Sequence, residues 1–409
     1  MLNSIKRFFS YLLSLLCMLF SGCSSSPAIL SENGEVISFK PYSKLTAFSK
    51  TLPDPFLKPD GTRVANMEEW ERQREYIQKA LCFYVYGERP DFSVSHVETE
   101  SESDERDYGK TAVYRIFYDD VRYFHIRVTR PAVIGDAPYP VIMRYESDMD
   151  YRFPIEEPLL SAGRYVIVAI DHLDAAPDNQ DEYTAGHMQE SEAKAIMAWG
   201  YQATLTIDFL ASLPYIDAEK IALTGHSRTG KAAICAAAFD ERIALVVPNS
   251  SGAGGASSLR TFGQSGAQGV DIAEHQPSWV SSNLAPFITN VNKLPLDMHW
   301  ATALIAPRPI LFTESRDGAD SAWANLRGTY ACWSALDEVY KIYGDDDEMP
   351  LRNLIHTRAG NHDQLDSDYA LLVEFCDSYF YGQPMDHAAL RTNAEYPAAA
   401  SQHKWASPF

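Results

Sequence analysis

Thr224-Gly225-His226-Ser227-Arg228-Thr229-Gly230-Lys231 is the segment best equipped for chemistry. A strand-like run, Ile221-Ala222-Leu223-Thr224, leads into it, and a helical stretch of small residues through Phe239 follows. In that strand–turn–helix context a serine hydroxyl is lifted above a sheet edge for nucleophilic attack, on a strained turn that needs small neighbours. Gly225 meets the need. The second glycine of the common G-x-S-x-G spacing would fall at Thr229 and comes one residue later, at Gly230. The same stretch also spells G-x-x-x-x-G-K, the frame of a phosphate loop, but Ala232 stands where the magnesium-holding Ser or Thr belongs. A plain helix N-cap is the blandest role open to Ser227.

A serine is a feeble nucleophile without a base. Of eleven histidines, only His362, in Arg358-Ala359-Gly360-Asn361-His362-Asp363, follows the later strands in a glycine-flanked loop. That is where the base of an α/β-hydrolase belongs in chain order. The third partner is an acid that holds the imidazole tautomer and balances imidazolium charge. Glu314, Asp317 and Asp320 all follow the strand ending at Thr313, and periodicity does not choose among them.

The elements that must carry these residues are legible. Tyr165 to Ile170 is a near-continuous apolar run, as expected of a parallel strand covered on both faces. Further strands are predicted at 141–143, 221–224, 243–247, 309–313 and 354–356. Helices are predicted over 192–213, through Phe239, and over 323–341 and 366–380. Asn66, with Glu68 and Glu69 behind it, starts a helix running to about Tyr86. Residues 111–129 alternate like two antiparallel strands, and the acidic stretch Glu98 to Asp107 reads as a solvated loop. Strands alternating with helices give a three-layer αβα sandwich around a mostly parallel, doubly wound sheet.

The chain has 409 residues and a formal net charge of −20, with 46% hydrophobic and 12% aromatic residues. That excess acid excludes a nucleic-acid partner, which needs clustered Lys and Arg. Lys6 and Arg7, the apolar run Tyr11 to Phe20, and Leu19-Phe20-Ser21-Gly22-Cys23 resemble a bacterial lipoprotein signal. The expected division is a signal peptide over 1–22, a Ser-rich tether over 23–50 starting at a lipidated Cys23, one catalytic domain over 51–390, and a tail over 391–409. The mature body is then an exported lipoprotein, periplasm-facing or on the outer-membrane surface, touching membrane only through its lipid and acting as a monomer. Cys82, Cys235, Cys332 and Cys376 remain, with no CxxC and no zinc spacing.

Taken together, these residues resemble the glucuronoyl esterases, carbohydrate esterase family 15. Family members look like Gly-Cys/His-Ser-Arg-x-Gly-Lys at the nucleophile, here Gly225 to Lys231. Phe239 to Leu245, Asn249 to Gly255, Leu294 to His299 and Ala303 to Pro309 are similar too, and Asp54-Pro55-Phe56 with the stretch 70–90 looks like the bacterial branch. The resemblance covers roughly residues 50–380. It implies Ser227 as nucleophile, His362 as base, and Arg228 stabilising the oxyanion by side chain and backbone N–H. It also implies that Lys231 bonds the uronic-acid hydroxyls and that Trp323 lines the sugar site. Fungal members carry a catalytic Glu where this chain has Ser250, while bacterial members often supply the acid from the next loop. Asp320 then matches best and Asp317 is the alternative. The implied activity is hydrolysis of (4-O-methyl-)glucuronoyl esters of glucuronoxylan-type polysaccharide, such as lignin–carbohydrate esters, with no metal or cofactor. An acetyl-xylan-type deacetylase and a non-catalytic surface glycan-binding lipoprotein are the competing readings.

Overall fold

The computed structural model describes residues 29–30, 36–46, 49–135, 137–178, 188, 192–260, 267–344, 349–391 and 402–409. Residues 1–28, which include the expected signal peptide and Cys23, lie outside the described residues. The chain divides into two units, 1–46 and 47–409. The first contributes a two-residue strand pair, Ile29–Leu30 with Val36–Ile37, and a short turn at Tyr42–Lys44. No described helix is long and apolar enough to cross a membrane.

The second unit is built on a nine-stranded sheet. Its strands are β1 (His96–Glu105), β2 (Gly109–Phe117), β3 (Tyr123–Pro131), β4 (Tyr139–Tyr145), β5 (Val166–Ile170), β6 (Ile216–His226), β7 (Ile243–Asn249), β8 (Ile310–Ser315) and β9 (Asn353–Arg358). Their spatial order is β9-β8-β7-β6-β4-β5-β3-β2-β1. The six strands from β9 to β5 are parallel, and β3, β2 and β1 extend the sheet antiparallel. The order reverses between β4 and β6, which opens a crevice at the carboxyl ends of the strands; that is where ligands bind in such sheets.

Every residue of β4 and β5 is buried, as the apolar runs 141–143 and 166–170 anticipate, and Arg144 is buried with them. On one face Ile142, Ile167, Ala222, Leu245, Leu311 and Leu354 pack with Leu159 and Leu160 of α2 (Glu156–Ser161) and with Leu372 and Phe375 of α7 (Asp366–Phe380). α3 (Ala195–Leu210) and α4 (Arg228–Phe239) pack against each other, and a Cβ at Gly200 would lie only 3.1 Å from the backbone of Ala236. α1 (Met67–Leu81), α5 (Gly318–Trp323) and α6 (Leu326–Tyr340) complete the labelled helices. Asn66 caps α1 by accepting from Glu69 N–H at 3.0 Å.

Two expectations are corrected. The stretch 98–107 is largely strand, not loop: β1 pairs with β2 from His96 to Glu105, with one register shift between Thr99 and Ser101. Its acids and small polar residues show no hydrophobic alternation because an edge strand with both faces in water has none, and charge at an edge discourages pairing with other chains. The helix expected around 323–341 is α6, which begins only at Leu326, because Asn325 adopts a left-handed conformation and caps it by accepting from Gly328 N–H. The four cysteines beyond Cys23 are free thiols. At the far terminus, Trp405 packs edge-on to Phe56 and donates to Leu52 O, so residues 402–409 are docked on the start of the domain.

Candidate active site

β6 ends at His226 and α4 begins at Arg228, so Ser227 alone makes the turn. Its φ of 54° and ψ of −118° lie where side-chain-bearing residues are rarely found, and such strain persists only when the surroundings impose it. They do so here by close approach. A Cβ at residue 225 would sit 2.3 Å from Thr229 O, and one at residue 230 would sit 2.9 Å from Ser251 Cβ and 3.0 Å from Gly225 O. Thr229, at the position usually held by the second glycine, instead folds its hydroxyl back, accepting from His226 N–H at 3.0 Å and donating to His226 O at 2.9 Å. The displaced glycine spacing therefore follows from where the backbones meet, which is at 225 and 230.

Ser227 Oγ lies 2.9 Å from His362 Nε2 across the sheet edge, the geometry of a nucleophile on its base. The loop that presents His362 is clamped from two sides. Arg358, the last residue of β9, forms a buried ion pair with Asp368 at 2.9 Å and donates to the carbonyls of Ala359, Asn361 and Asp363. From the loop after β8, Asp317 accepts from Gly360 N–H at 2.8 Å through Oδ2, while its own N–H donates to Gly360 O at 2.9 Å.

The carboxyl ends of β6, β7 and β8 stand in register, His226 beside Asn249 and Asn249 beside Thr313. A hydrogen-bonded row follows: His226 Nδ1 to Asn249 Oδ1 at 2.6 Å, then Asn249 Nδ2 to Thr313 Oγ1 at 2.9 Å. The His226 ring lies 4.8 Å from that of His362. Burial pushes the His226 pKa down, so the ring that flanks His362 is held neutral.

The three candidate acids separate. Glu314 is buried in β8, where Oε1 accepts from Thr329 Oγ1 at 3.2 Å. Burial raises its pKa to about 8 against the opposing pull of the Thr329 hydroxyl and the Lys231 ammonium. Asp317 holds the backbone of the histidine loop. Asp320 falls within α5, and its side chain lies outside the described residues. Ser250 is buried, 3.4 Å from Ser315 Oγ, and offers no carboxylate.

Arg228 pairs through Nη1 with Asp178 Oδ2 and stands 5.7 Å from the Trp279 ring centroid. Its backbone N–H belongs to the first turn of α4, whose donors have no intrahelical acceptor and can face an oxyanion. Lys231, one turn later, is fully buried. Its ammonium donates to Ser251 O at 2.5 Å, Ala253 O at 2.7 Å and Gln268 Oε1 at 3.1 Å, which uses all three of its protons. Burial brings its pKa down to about 7. Trp323 and Trp279 flank the ammonium at 5.4 and 5.9 Å, and the Trp323 ring stands edge-on 5.8 Å from His362. The structure thus gathers Ser227, His362, Arg228, Lys231 and Trp323 at one sheet edge. Asp178, Trp279 and Gln268 join them across wide chain separations with no local sequence signal, whereas Arg358 and Asp368 lie within ten residues of each other and clamp the loop between them.

Among the described residues, one group has metal-ligand chemistry: His125, Asp171 and Asp174. An ion pair between His125 Nδ1 and Asp174 Oδ2 at 2.7 Å accounts for it, and it stands at the β3–β5 side of the sheet, apart from Ser227.

A strained serine between strand and helix, facing a histidine delivered after the last strand of a mostly parallel sheet, defines a serine hydrolase of the α/β-hydrolase fold. Residues 118–344 match the family model described as glucuronyl esterase, fungi, and the chain belongs to that family. A 4-O-methyl-glucuronoyl methylesterase of Wolfiporia cocos is 30% identical over 328 residues, covering 76% of this chain and 75% of the relative. One of Phanerochaete carnosa, with the same name, is 28% identical over 363 residues and covers 84% of each. Among solved structures, a carbohydrate esterase family 15 glucuronoyl esterase from Caldicellulosiruptor kristjansonii superposes with a TM-score of 0.70 at 28% identity, covering 87% of this chain and 97% of that one.

Proposed function

We propose that this family member is a serine esterase acting on 4-O-methyl-glucuronoyl esters of plant cell-wall polysaccharide, of the kind that join glucuronoxylan to lignin alcohols. The observation that carries the reading is the 2.9 Å contact between Ser227 Oγ and His362 Nε2 at a strained elbow. Ser227 Oγ attacks the ester carbonyl carbon as its proton passes to His362 Nε2. The electron pair of the carbonyl moves to oxygen, where Arg228 and the first-turn N–H groups of α4 oppose the new charge. Collapse of that intermediate breaks the bond to the alcohol, which leaves with the proton from His362. Water, deprotonated by the same imidazole, then attacks the acyl-serine and releases the uronic acid and the free hydroxyl.

Asp320 is the acid we assign to the far side of His362. Three contacts support it by bracketing the segment along the histidine loop: Asp317 on Gly360, the Gly318 backbone beside Asn361, and the Trp323 ring against His362. Trp279 and Trp323 suit a sugar ring, and a uronic hydroxyl reaches Lys231 by replacing Gln268, the longest of its three acceptors.

Hydrolysis of benzyl glucuronate beside acetylated xylan tests the assignment with wild type, Ser227→Ala and Asp320→Asn. Uronate release that vanishes in Ser227→Ala and falls about 10⁴-fold in Asp320→Asn is the expected result. Acetate release without uronate release defeats the substrate reading, and full activity of Asp320→Asn moves the acid elsewhere.

The amino-terminal motif supports an exported lipoprotein anchored at Cys23, and we propose that its body is a monomer. Labelling with a fatty-acid analogue that persists in Cys23→Ser would remove that assignment, and sedimentation reads the oligomeric state.

A further inference from the structure

The hydrolysis poses a problem of charge. The ester is neutral, the oxyanion carries one negative charge, and so does the uronate product, on oxygens of the same carbon. A guanidinium placed to favour the first anion also favours the second. The planar carboxylate is the better geometric match for it, because an arginine fork grips a carboxylate with two parallel N–H donors. An unencumbered Arg228 would therefore retain product.

In this structure Arg228 is not unencumbered. Nη1 is paired with Asp178 Oδ2, so the end-on fork formed by its two terminal nitrogens is occupied on one side. Trp279 lies on the same guanidinium and donates through Nε1 to the backbone carbonyl of Asp178 at 3.0 Å, which fixes the residue that supplies the counter-charge. Asp178 Oδ1 is buried and accepts no hydrogen bond among the described residues, so its charge is little spent on other partners. The other cation near the nucleophile, Lys231, has its protons on Ser251, Ala253 and Gln268. Arg228 is the cation with donors left for an anion, and Asp178 is the described group that tempers it.

We infer that Asp178 is a positioning residue that holds Arg228 by Nη1 and offsets its charge, leaving Nε and Nη2 for the tetrahedral oxyanion while weakening the grip of the guanidinium on the uronate product. Its carboxylate does two things that substitution can separate. Asparagine keeps a carbonyl oxygen to anchor Nη1 and removes the charge. Alanine removes both.

The inference rests on the uronoyl-ester reading above, and the test keeps the two apart by measuring product affinity without turnover. Titration calorimetry of D-glucuronate at fixed ionic strength is carried out on wild type, Asp178→Asn and Asp178→Ala. Both variants are expected to bind glucuronate about tenfold more tightly than wild type (about 1.4 kcal/mol). Initial rates on benzyl glucuronate are expected to fall further in Asp178→Ala, whose guanidinium is loose, than in Asp178→Asn. Binding in Asp178→Asn within twofold of wild type overturns the inference, as does an Asp178→Ala enzyme at least as fast as Asp178→Asn. Circular dichroism of the two variants guards against misfolding, and the conservative asparagine supplies the answer if alanine unfolds. If no form binds glucuronate, the substrate reading fails along with the inference.

Discussion

Asp317 offers the sharpest test of how the site is built, because its position in the chain invites one role and its contacts another. It follows β8, where the acid of such a site usually stands, yet its carboxylate Oδ2 accepts from Gly360 N–H at 2.8 Å, two residues before His362. As a loop clamp its contribution can be bounded. A hydrogen bond to a charged acceptor is worth about 1.5–3 kcal/mol. The side chain is 56% exposed, and screening at that exposure leaves about 1 kcal/mol. If all of that holds His362 in line with Ser227, Asp317→Ala lowers kcat about fivefold. Asp317→Asn, which keeps an acceptor oxygen toward Gly360 N–H, should stay within about twofold by the same bond accounting. An acid that orients the imidazole behaves otherwise: its amide costs about 10⁴ in kcat, because the amide favours the wrong tautomer. The assay is kcat/KM for benzyl glucuronate across pH, with melting temperature as control. A loss above 10³ in Asp317→Asn, with unchanged melting, would refute the clamp and make Asp317 the triad acid in place of Asp320.

Other expectations concern the scaffold. Gly225→Ala places a methyl 2.3 Å from Thr229 O; the turn cannot absorb it, and stability should fall by more than about 3 kcal/mol in urea unfolding, with a soluble, native-like melt counting against the argument. Arg358→Met strips the buried Asp368 carboxylate of its counter-ion, a loss of about 3–5 kcal/mol, with activity falling as the His362 loop loosens; an active enzyme of wild-type stability would show the loop is held by something else. Glu314 has its folded pKa raised to about 8 from an ordinary value of 4.5. Its contribution is therefore fully present below about pH 4.5 and is lost as pH rises through 8. Glu314→Gln should gain on wild type in urea midpoint from pH 5 to pH 8, and parallel pH curves for the two would contradict the burial argument.

Much of this architecture is legible along the chain. The apolar runs at 165–170 and 243–247, the capped helix at Asn66 and the small-residue helix after Ser227 follow from period and propensity, which act over neighbouring residues. β1 escapes such reading because an edge strand in water needs no apolar alternation; only its backbone pairing with β2 makes it a strand. The late start of α6 escapes it too, since helical periodicity runs through the point where the chain turns.

The site divides along the same line. The types and order of Ser227, His362 and the acids after β8 point to a nucleophile, a base and a choice of acid, because a nucleophile elbow is a local motif and triad order follows strand order. Why the second glycine stands at 230 was decided by the tertiary structure, through the approach of α4 to Ser251 and Asn249. So was the assignment of Asp317 to the Gly360 backbone, of Glu314 to the neighbourhood of Lys231, and of Asp178 to Arg228. These pairings join residues far apart in the chain, and hydrogen bonds and ion pairs fall off over a few ångströms, so only the folded backbone determines which charges meet.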